Sequence, residues 1–165
     1  MTIGTLWSQS CRYAERMRLQ LALNVEDIDE AVDFYSKLFG VEPAKRRDGY
    51  ANFAVDEPPL KLVLFETAGQ GGTINHLGVE TETTEEVFSA QRRLVAAGLN
   101  TTGVDETMCC YADKTETWVT DPAGVEWEWY VKSGDNEVFD NVVLTSPVTS
   151  DSPVTANSDS AACCA

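Results

Sequence analysis

The sequence predicts an α+β fold in which two βαβββ modules pair their sheets into a half-open cup of eight strands. The main observation is an internal repeat, since the order strand, helix and three strands occurs in residues 17–67 and again in 73–132. In both modules an alternating strand precedes an amphipathic helix. We therefore expect one domain over residues 17–132, between an N-terminal extension (1–16) and a tail (133–165) that is disordered when free.

The first module begins with the alternating strand RLQLALNV, residues 18–25. Asp27 is suited to the N-cap of a helix over residues 28–39, with Glu30 as its capping-box partner, and Gly40 is suited to end that helix. Three short strands are predicted next, over residues 42–46, 50–55 and 60–66.

The second module begins with the strand TINHLGVE, residues 73–80, which follows a Gly-rich link. Thr84, Glu85 and Glu86 open a helix that is predicted to stop at Gly98. Further strands are predicted over residues 100–112, 117–120 and 125–131, with a turn at Asp-Pro-Ala-Gly between the last two.

Charge and composition narrow the range of partners. Asp plus Glu number 27 against 12 Lys plus Arg, so the formal charge is −15, which repels nucleic acid and anionic membranes. The sequence has no apolar run of membrane-spanning length and no secretory leader, so we expect a cytoplasmic monomer or homodimer. The five cysteines do not form a disulfide framework, and in a reducing compartment they are thiols or soft-metal ligands.

Superposing the two modules by pattern aligns Gln20 with His76, the only histidine, and Val63 with Glu128. Gln20, His76 and Glu128 would then line the inside of the cup as three metal ligands with one side open. An amide, an imidazole and a carboxylate suit Fe(II) or Mn(II) better than Cu(I). Each residue also has an ordinary alternative: a hydrogen-bonded glutamine within a strand, a packed histidine and a solvent-facing glutamate.

The adjacent thiols of Cys109 and Cys110 indicate a second chemistry. Neighbours on a regular strand face opposite sides, so both sulfurs reach one atom only from a bulge or a loop, here with Asp113, Lys114 and Thr115 in a mobile loop. Such a pair chelates a thiophilic ion, for example trivalent arsenic with one organic group. The alternative is two unrelated buried thiols. Cys163 and Cys164 end the tail and could capture substrate. Truncation from about residue 135 is expected to spare turnover at saturating substrate and at most to weaken capture at low substrate.

Several segments carry a resemblance to the vicinal oxygen chelate superfamily: LQLALNVEDIDEAVDFYSKLFGVEPAK, GYANFAVDEPPLKLVLFE, NHLGVE, CCYA and WVTDPAGVEWEWY. Within it, the chain resembles the ArsI-type carbon–arsenic lyases and the cadmium-induced CadI proteins. The resemblance implies an Fe(II)-dependent dioxygenase that uses dioxygen to convert trivalent organoarsenicals to arsenite. It also implies that Gln20, His76 and Glu128 bind iron, and that Cys109 and Cys110 bind substrate.

Two alternatives remain at this point. A CadI-like protein would sequester Cd(II) or As(III) through its cysteine pairs without turnover. A glyoxalase-like isomerase or a ring-opening dioxygenase would leave the cysteines unexplained, and the isomerase would need a fourth metal ligand where this chain has Val63.

Overall fold

The computed structural model describes residues 17–144. The predicted N-terminal extension and the tail pair Cys163 and Cys164 lie outside these residues. The chain groups into two compact units, of which the first ends at Glu82 and the second begins at Thr83.

The first unit has five strands and one helix in the residues that are described, and its sheet has the order β2-β3-β4-β1-β5. Strand β1 lies parallel to β4 and antiparallel to β5. Strand β5 opens the second sequence repeat, yet it belongs to the first unit because it pairs along β1. The elements are β1 (Arg18–Val25), α1 (Ile28–Phe39), β2 (Lys45–Arg47), β3 (Tyr50–Val55), β4 (Leu60–Glu66) and β5 (Ile74–Thr81).

Helix α1 begins and ends where the sequence predicts. The Asp27 carboxylate accepts hydrogen bonds from the backbone N–H groups of Asp29 and Glu30, and Gly40 ends the helix with a φ of 67°. The apolar face of α1 buries Ile28 and Val32 in the core of this unit. The core residues from the sheet are Ala51, Phe53, Val55, Leu62 and Leu64.

The other face of β1 is polar although it is buried. Gln20, Ala22 and Asn24 alternate along this face and are all 3 % exposed or less. The β1–β5 register shifts at this point, because Ala22 pairs with His76 while the next residue of β1 pairs with Ile74. The extra residue on β5 forms a β-bulge, which interrupts the regular alternation of side chains between Ile74 and His76. Ile74 is accordingly half-exposed and His76 is buried.

The second unit contains one helix and four antiparallel strands among the described residues, in the order β8-β7-β6-β9. The helix begins with a capping box between Thr83 and Glu86. The elements are α2 (Thr84–Ala96), β6 (Asp105–Cys109), β7 (Ala112–Thr120), β8 (Glu126–Asp135) and β9 (Val142–Leu144).

The fold class is confirmed as α+β, since the βαβββ order occurs twice along the chain. Two expectations are corrected. The residues predicted as a mobile loop, Asp113 to Thr115, belong to β7, because a two-residue turn after Cys109 is enough to reverse the chain. The disordered tail was placed from residue 133, but β8 continues to Asp135 and a ninth strand, β9, pairs with β6. No helix in residues 17–144 is long and apolar enough to cross a bilayer.

Candidate metal-ligand and thiol sites

Gln20 and His76 meet on the buried polar face of the first unit. The Nε2 atoms of the two side chains lie 2.8 Å apart, and the residues are 3 % and 2 % exposed. The Gln20 Nε2 group is a donor only, so the His76 Nε2 atom accepts with its lone pair. In this contact the His76 Nε2 atom therefore carries the lone pair and no proton.

The contact of the other ring nitrogen of His76 is consistent with the same tautomer. The Nδ1 atom lies 2.8 Å from the Oδ1 atom of Asn75, and an amide oxygen only accepts hydrogen bonds. Nδ1 consequently carries the proton, and the lone pair that accepts from Gln20 lies on Nε2; a neutral imidazole binds a metal through such a lone pair.

The surroundings of this pair are apolar on the β4 side. Val63 is 4 % exposed and pairs with Ala22, the β1 residue opposite His76. The Phe65 ring lies 6.3 Å from the imidazole, centroid to centroid.

Glu128 lies on β8 in the second unit and is fully buried. Its Oε1 atom accepts a hydrogen bond of 2.6 Å from Lys114 Nζ, and Glu116 Oε2 lies 3.8 Å from the same nitrogen. The Trp118 indole donates to Glu116 Oε1 over 3.0 Å. Glu128 is therefore a buried carboxylate, and Lys114 supplies the countercharge that it needs.

Burial and an excess of acidic over basic groups set the pKa values of Lys114 and Glu116. Burial lowers the pKa of Lys114, but Glu128, Glu116 and the two cysteines raise it, and the net pKa is well above its ordinary value. Burial first, and then the negative charge of Glu128, raises the pKa of Glu116 to about 8. At neutral pH, Glu116 thus keeps its proton, and Lys114 and Glu128 form the charged pair.

Cys109 and Cys110 lie at the tip of the β6–β7 hairpin. Cys109 ends β6 and pairs with Ala112, so Cys110 and Tyr111 form a two-residue loop. Both loop residues have positive φ values, 54° and 63°, which is the pattern of a type I′ turn and is unusual for residues other than Gly, Asn or Asp. The turn brings the two Sγ atoms within 2.9 Å. Both cysteines are buried.

The segment Asn136–Leu144, which we call the strap, holds this turn in place. The backbone N–H groups of Cys110 and Tyr111 donate to the carbonyls of Phe139 and Val138, over 3.0 and 2.8 Å. The N–H of Asn136 donates to the Tyr111 carbonyl, and the rings of Tyr111 and Phe139 lie 5.5 Å apart. The strap thereby satisfies backbone groups that a strained turn would otherwise expose.

The structure brings the predicted residues together in two groups. Gln20 and His76 are in contact in the first unit, whereas Glu128, Cys109 and Cys110 belong to the second. Within residues 17–144, no three or more His, Cys, Asp and Glu side chains are arranged to hold a metal ion. A metal site that includes His76 must therefore draw on another kind of ligand, such as the amide of Gln20.

Sequence reasoning missed four polar residues of these groups: Asn24, Asn75, Lys114 and Glu116. The two residues of β7 could have been found from their spacing, since Lys114 and Glu116 are two apart and share a strand face. No local signal marks Asn75, because its position depends on the bulge.

A family model, described as Glyoxalase/Bleomycin resistance protein/Dioxygenase superfamily, matches residues 18–129, which is more than half of the chain. The chain belongs to this superfamily. Because the match begins at β1 and ends within β8, it includes both members of the sequence repeat and every predicted site residue except the tail cysteines.

Two relatives within the superfamily are similar in sequence. The cadmium-induced protein CadI of Mycobacterium tuberculosis is 53 % identical over 122 residues, which cover 74 % of this chain and 80 % of the relative. The trivalent organoarsenical cleaving enzyme of Thermomonospora curvata is 48 % identical over 148 residues, which cover 89 % of this chain and 87 % of the relative.

Among solved structures, the Mn(II)-bound glyoxalase from Novosphingobium aromaticivorans aligns with a TM-score of 0.53 at 17 % identity. The alignment covers 76 % of this chain and 42 % of that one. At this identity the likeness shows the superfamily's glyoxalase-like fold alone.

Proposed function

We propose that this protein is a non-haem Fe(II)-dependent dioxygenase that cleaves the carbon–arsenic bond of trivalent organoarsenicals. The observation that carries the proposal is the buried thiol pair at the hairpin tip, whose sulfurs lie 2.9 Å apart. The 48 % identity to a relative that is named for this activity supports it. Cys109 and Cys110 lie inside the region that the family model matches, and the turn they form contains two residues with positive φ.

Cys109 and Cys110 would hold the arsenic as a dithiolate. Two As–S bonds form, two As–O bonds of the arsenical break, and two thiol protons leave with the hydroxides as water. The nucleophile is the thiolate, so a nearby cation favours the reaction. Lys114 is a candidate for this cation, because its pKa is well above the ordinary value and the negative charge of Cys109 and Cys110 is among the causes.

Gln20, His76 and Glu128 are the proposed iron ligands. His76 offers the lone pair of Nε2, and Gln20 would offer its amide oxygen after a half-turn of the amide group, which now directs Nε2 at the imidazole. Glu128 offers a carboxylate, which currently accepts from Lys114. These donor types suit Fe(II). Bound Fe(II) would supply a site at which dioxygen is reduced.

The overall reaction needs no further reductant. For methylarsenite, CH₃As(OH)₂ and O₂ contain together the atoms of As(OH)₃ and formaldehyde. The methyl carbon loses four electrons, dioxygen accepts four, and arsenic remains trivalent. The contribution of the protein is to hold arsenic at fixed thiols, because small displacements of a reacting group cost orders of magnitude in rate.

Anaerobic reconstitution with Fe(II), followed by methylarsenite and air, tests the proposal. We expect equimolar arsenite and formaldehyde that depend on both iron and oxygen. His76→Ala should lose iron and turnover while it keeps arsenical binding, and Cys109→Ser should lose arsenical binding while it keeps iron. Cys11→Ser is the matched thiol control and should behave as wild type. Turnover that survives both site variants would contradict the proposal.

The second candidate is a protein that sequesters thiophilic ions without turnover. The 53 % identity to a cadmium-induced protein favours it. The same experiment separates the two, because sequestration gives stoichiometric binding of methylarsenite or Cd(II) with no arsenite release in the presence of iron and air.

A further inference from the structure

We propose that Asn24 and Asn75 form a relay that fixes the tautomer of His76, so that Nε2 is the atom presented to the metal. This inference rests on the metal site of the proposed function and assigns two positioning residues to it. The relay lies entirely within the first unit, on β1 and β5.

The β-bulge makes the first contact of the relay possible. Neighbouring residues of a regular strand point to opposite faces, so Asn75 and His76 would not meet. The bulge redirects Asn75, whose Oδ1 atom lies 2.8 Å from His76 Nδ1. The Nδ2 group of Asn75 then donates to Asn24 Oδ1 over 3.0 Å.

The direction of every hydrogen bond in this relay is set by a single backbone carbonyl. The Thr73 hydroxyl donates to the carbonyl oxygen of Gln70 over 2.8 Å, so the Thr73 oxygen has a lone pair left to accept with. Asn24 Nδ2 donates to that oxygen over 2.9 Å, which turns Asn24 Oδ1 toward Asn75. A carbonyl cannot donate, so the order of donors and acceptors cannot be reversed.

A second donor supports the same orientation of Asn24. The Thr67 hydroxyl donates to Asn24 Oδ1 over 3.2 Å, which is consistent with an oxygen at that position. Asn24 is 3 % exposed, so water does not readily replace these partners. Rotating the side-chain amide of Asn24 by 180° would place its NH₂ group against that of Asn75. Rotating the amide of Asn75 would place two oxygens against each other. Each lost hydrogen bond costs about 1 kcal/mol.

The consequence at His76 is a proton held on Nδ1. Asn75 Oδ1 accepts from Nδ1, and Gln20 Nε2 donates to Nε2, so the two ring contacts require the same tautomer. A metal ion binds a neutral imidazole through the nitrogen without a proton. The relay thus keeps the proton off Nε2 in the metal-free protein. Metal binding then does not have to supply the free energy of moving that proton to Nδ1.

The tautomer can be measured directly, because the chain has one histidine. The metal-free protein, purified without a polyhistidine tag, is uniformly labelled with ¹⁵N, and its imidazole shifts are recorded well above the ordinary histidine pKa of about 6.5. We expect the Nδ1–H form in wild type. Asn75→Leu should move the proton toward Nε2, whereas Asn75→Asp retains an acceptor for Nδ1–H and should keep the wild-type form.

Metal binding supplies the second readout, with Mn(II) as the probe and electron paramagnetic resonance of the unbound ion as the signal. Asn75→Leu should weaken Mn(II) binding by about 10- to 100-fold, the usual effect of losing the partner of a histidine ligand. Thr73→Val should shift the tautomer and weaken Mn(II) binding in the same directions as Asn75→Leu, but by smaller amounts. The matched control is Asn52→Leu, since Asn52 also lies on a strand of this unit and its amide donates to Tyr50 Oη.

The results separate the relay from the proposed function. Thermal unfolding identifies variants that do not fold, and Thr73→Val keeps the test open if Asn75→Leu fails. A folded Asn75→Leu protein with wild-type tautomer, or with wild-type Mn(II) affinity, overturns the relay. A wild-type Nδ1–H form without any Mn(II) binding overturns the metal site and, with it, the purpose assigned to the relay.

Discussion

At the scale of single residues, two buried carboxyl groups of the second unit share one cation. Lys114 is one cation for two carboxyl groups, Glu116 and Glu128, and all three are less than a tenth exposed. The Nζ atom of Lys114 also lies 4.9 Å from the centre of the Tyr130 ring. Burial of an uncompensated charge is costly, so a proton on Glu116 balances the cluster in the metal-free protein.

This balance predicts a pH dependence for metal-free stability. The pKa of Glu116 is about 8 in the folded protein against an ordinary 4.5, so between these values the folded state binds more protons than the unfolded state. Stability therefore falls as pH rises from about 4.5 to about 8. Glu116→Gln removes this ionisation, and we expect its advantage over wild type to grow by at least about 1 kcal/mol between pH 5 and pH 8.5.

Urea unfolding of both proteins at the two pH values measures this difference. The control is Glu106→Gln, because Glu106 is an exposed residue of β6 and should show no such change. Parallel pH profiles for wild type and Glu116→Gln would contradict the raised pKa.

At the scale of elements, the turn of the β6–β7 hairpin depends on residues that lie more than twenty positions further along the chain. Two residues with positive φ are strained when they are not glycine, at a cost of about 1–3 kcal/mol each. The strap offsets this cost, since it supplies partners for the N–H groups of Cys110 and Tyr111 and continues into β9, which pairs with β6. The geometry of the thiol pair is consequently a joint property of the hairpin and the strap.

We predict that a chain of residues 1–135 loses high-affinity binding of trivalent arsenicals. Removing the strap deletes three backbone hydrogen bonds at the turn, each worth about 1 kcal/mol, so the affinity should fall by about tenfold to a hundredfold. The sequence analysis predicts that truncation from about residue 135 spares turnover at saturating substrate and at most weakens capture at low substrate. The strap gives a structural reason to expect weaker binding. Titration with phenylarsine oxide, followed by tryptophan fluorescence, measures the affinity without iron. Unchanged binding by the 1–135 chain would show that the strap does not position the thiols.

At the scale of the whole molecule, the residues that follow β9 contain the second cysteine pair. Cys163 and Cys164 lie outside the described residues, so their role stays a prediction. The sequence analysis assigns these cysteines at most a role in capturing substrate, whereas Cys109 and Cys110 are the thiols proposed to hold it for the reaction.

We therefore predict that a chain of residues 1–144 keeps the turnover number of the full chain at saturating substrate. At low substrate its kcat/KM should be equal or lower, because capture by the tail thiols is lost. Steady-state kinetics of the two chains, with Cys163→Ser/Cys164→Ser as the full-length control, provide the measurement. A collapse of kcat in the shorter chain would place the tail within the active site.

The sequence by itself determined what depends on neighbours along the chain. The bounds of β1, α1, β3 and β4 agree with the predictions to the residue, because alternation, capping residues and turn residues act over a few positions. The repeat predicted the α+β fold. The chemistry of the side chains identified His76 and Glu128 as candidate metal ligands and the thiols of Cys109 and Cys110 as candidate substrate ligands.

Only the tertiary structure decided which partners these residues have. The bulge that lets Asn75 reach His76, the burial of Lys114 and Glu116 beside Glu128, and the strap that holds the cysteine turn arise from the pairing of distant segments. Strand register and bulges are set by contacts across the sheet, and one residue of shift exchanges the faces of a strand. The proposed tautomer of His76 depends on those contacts, and the pattern of residues along the chain does not predict them.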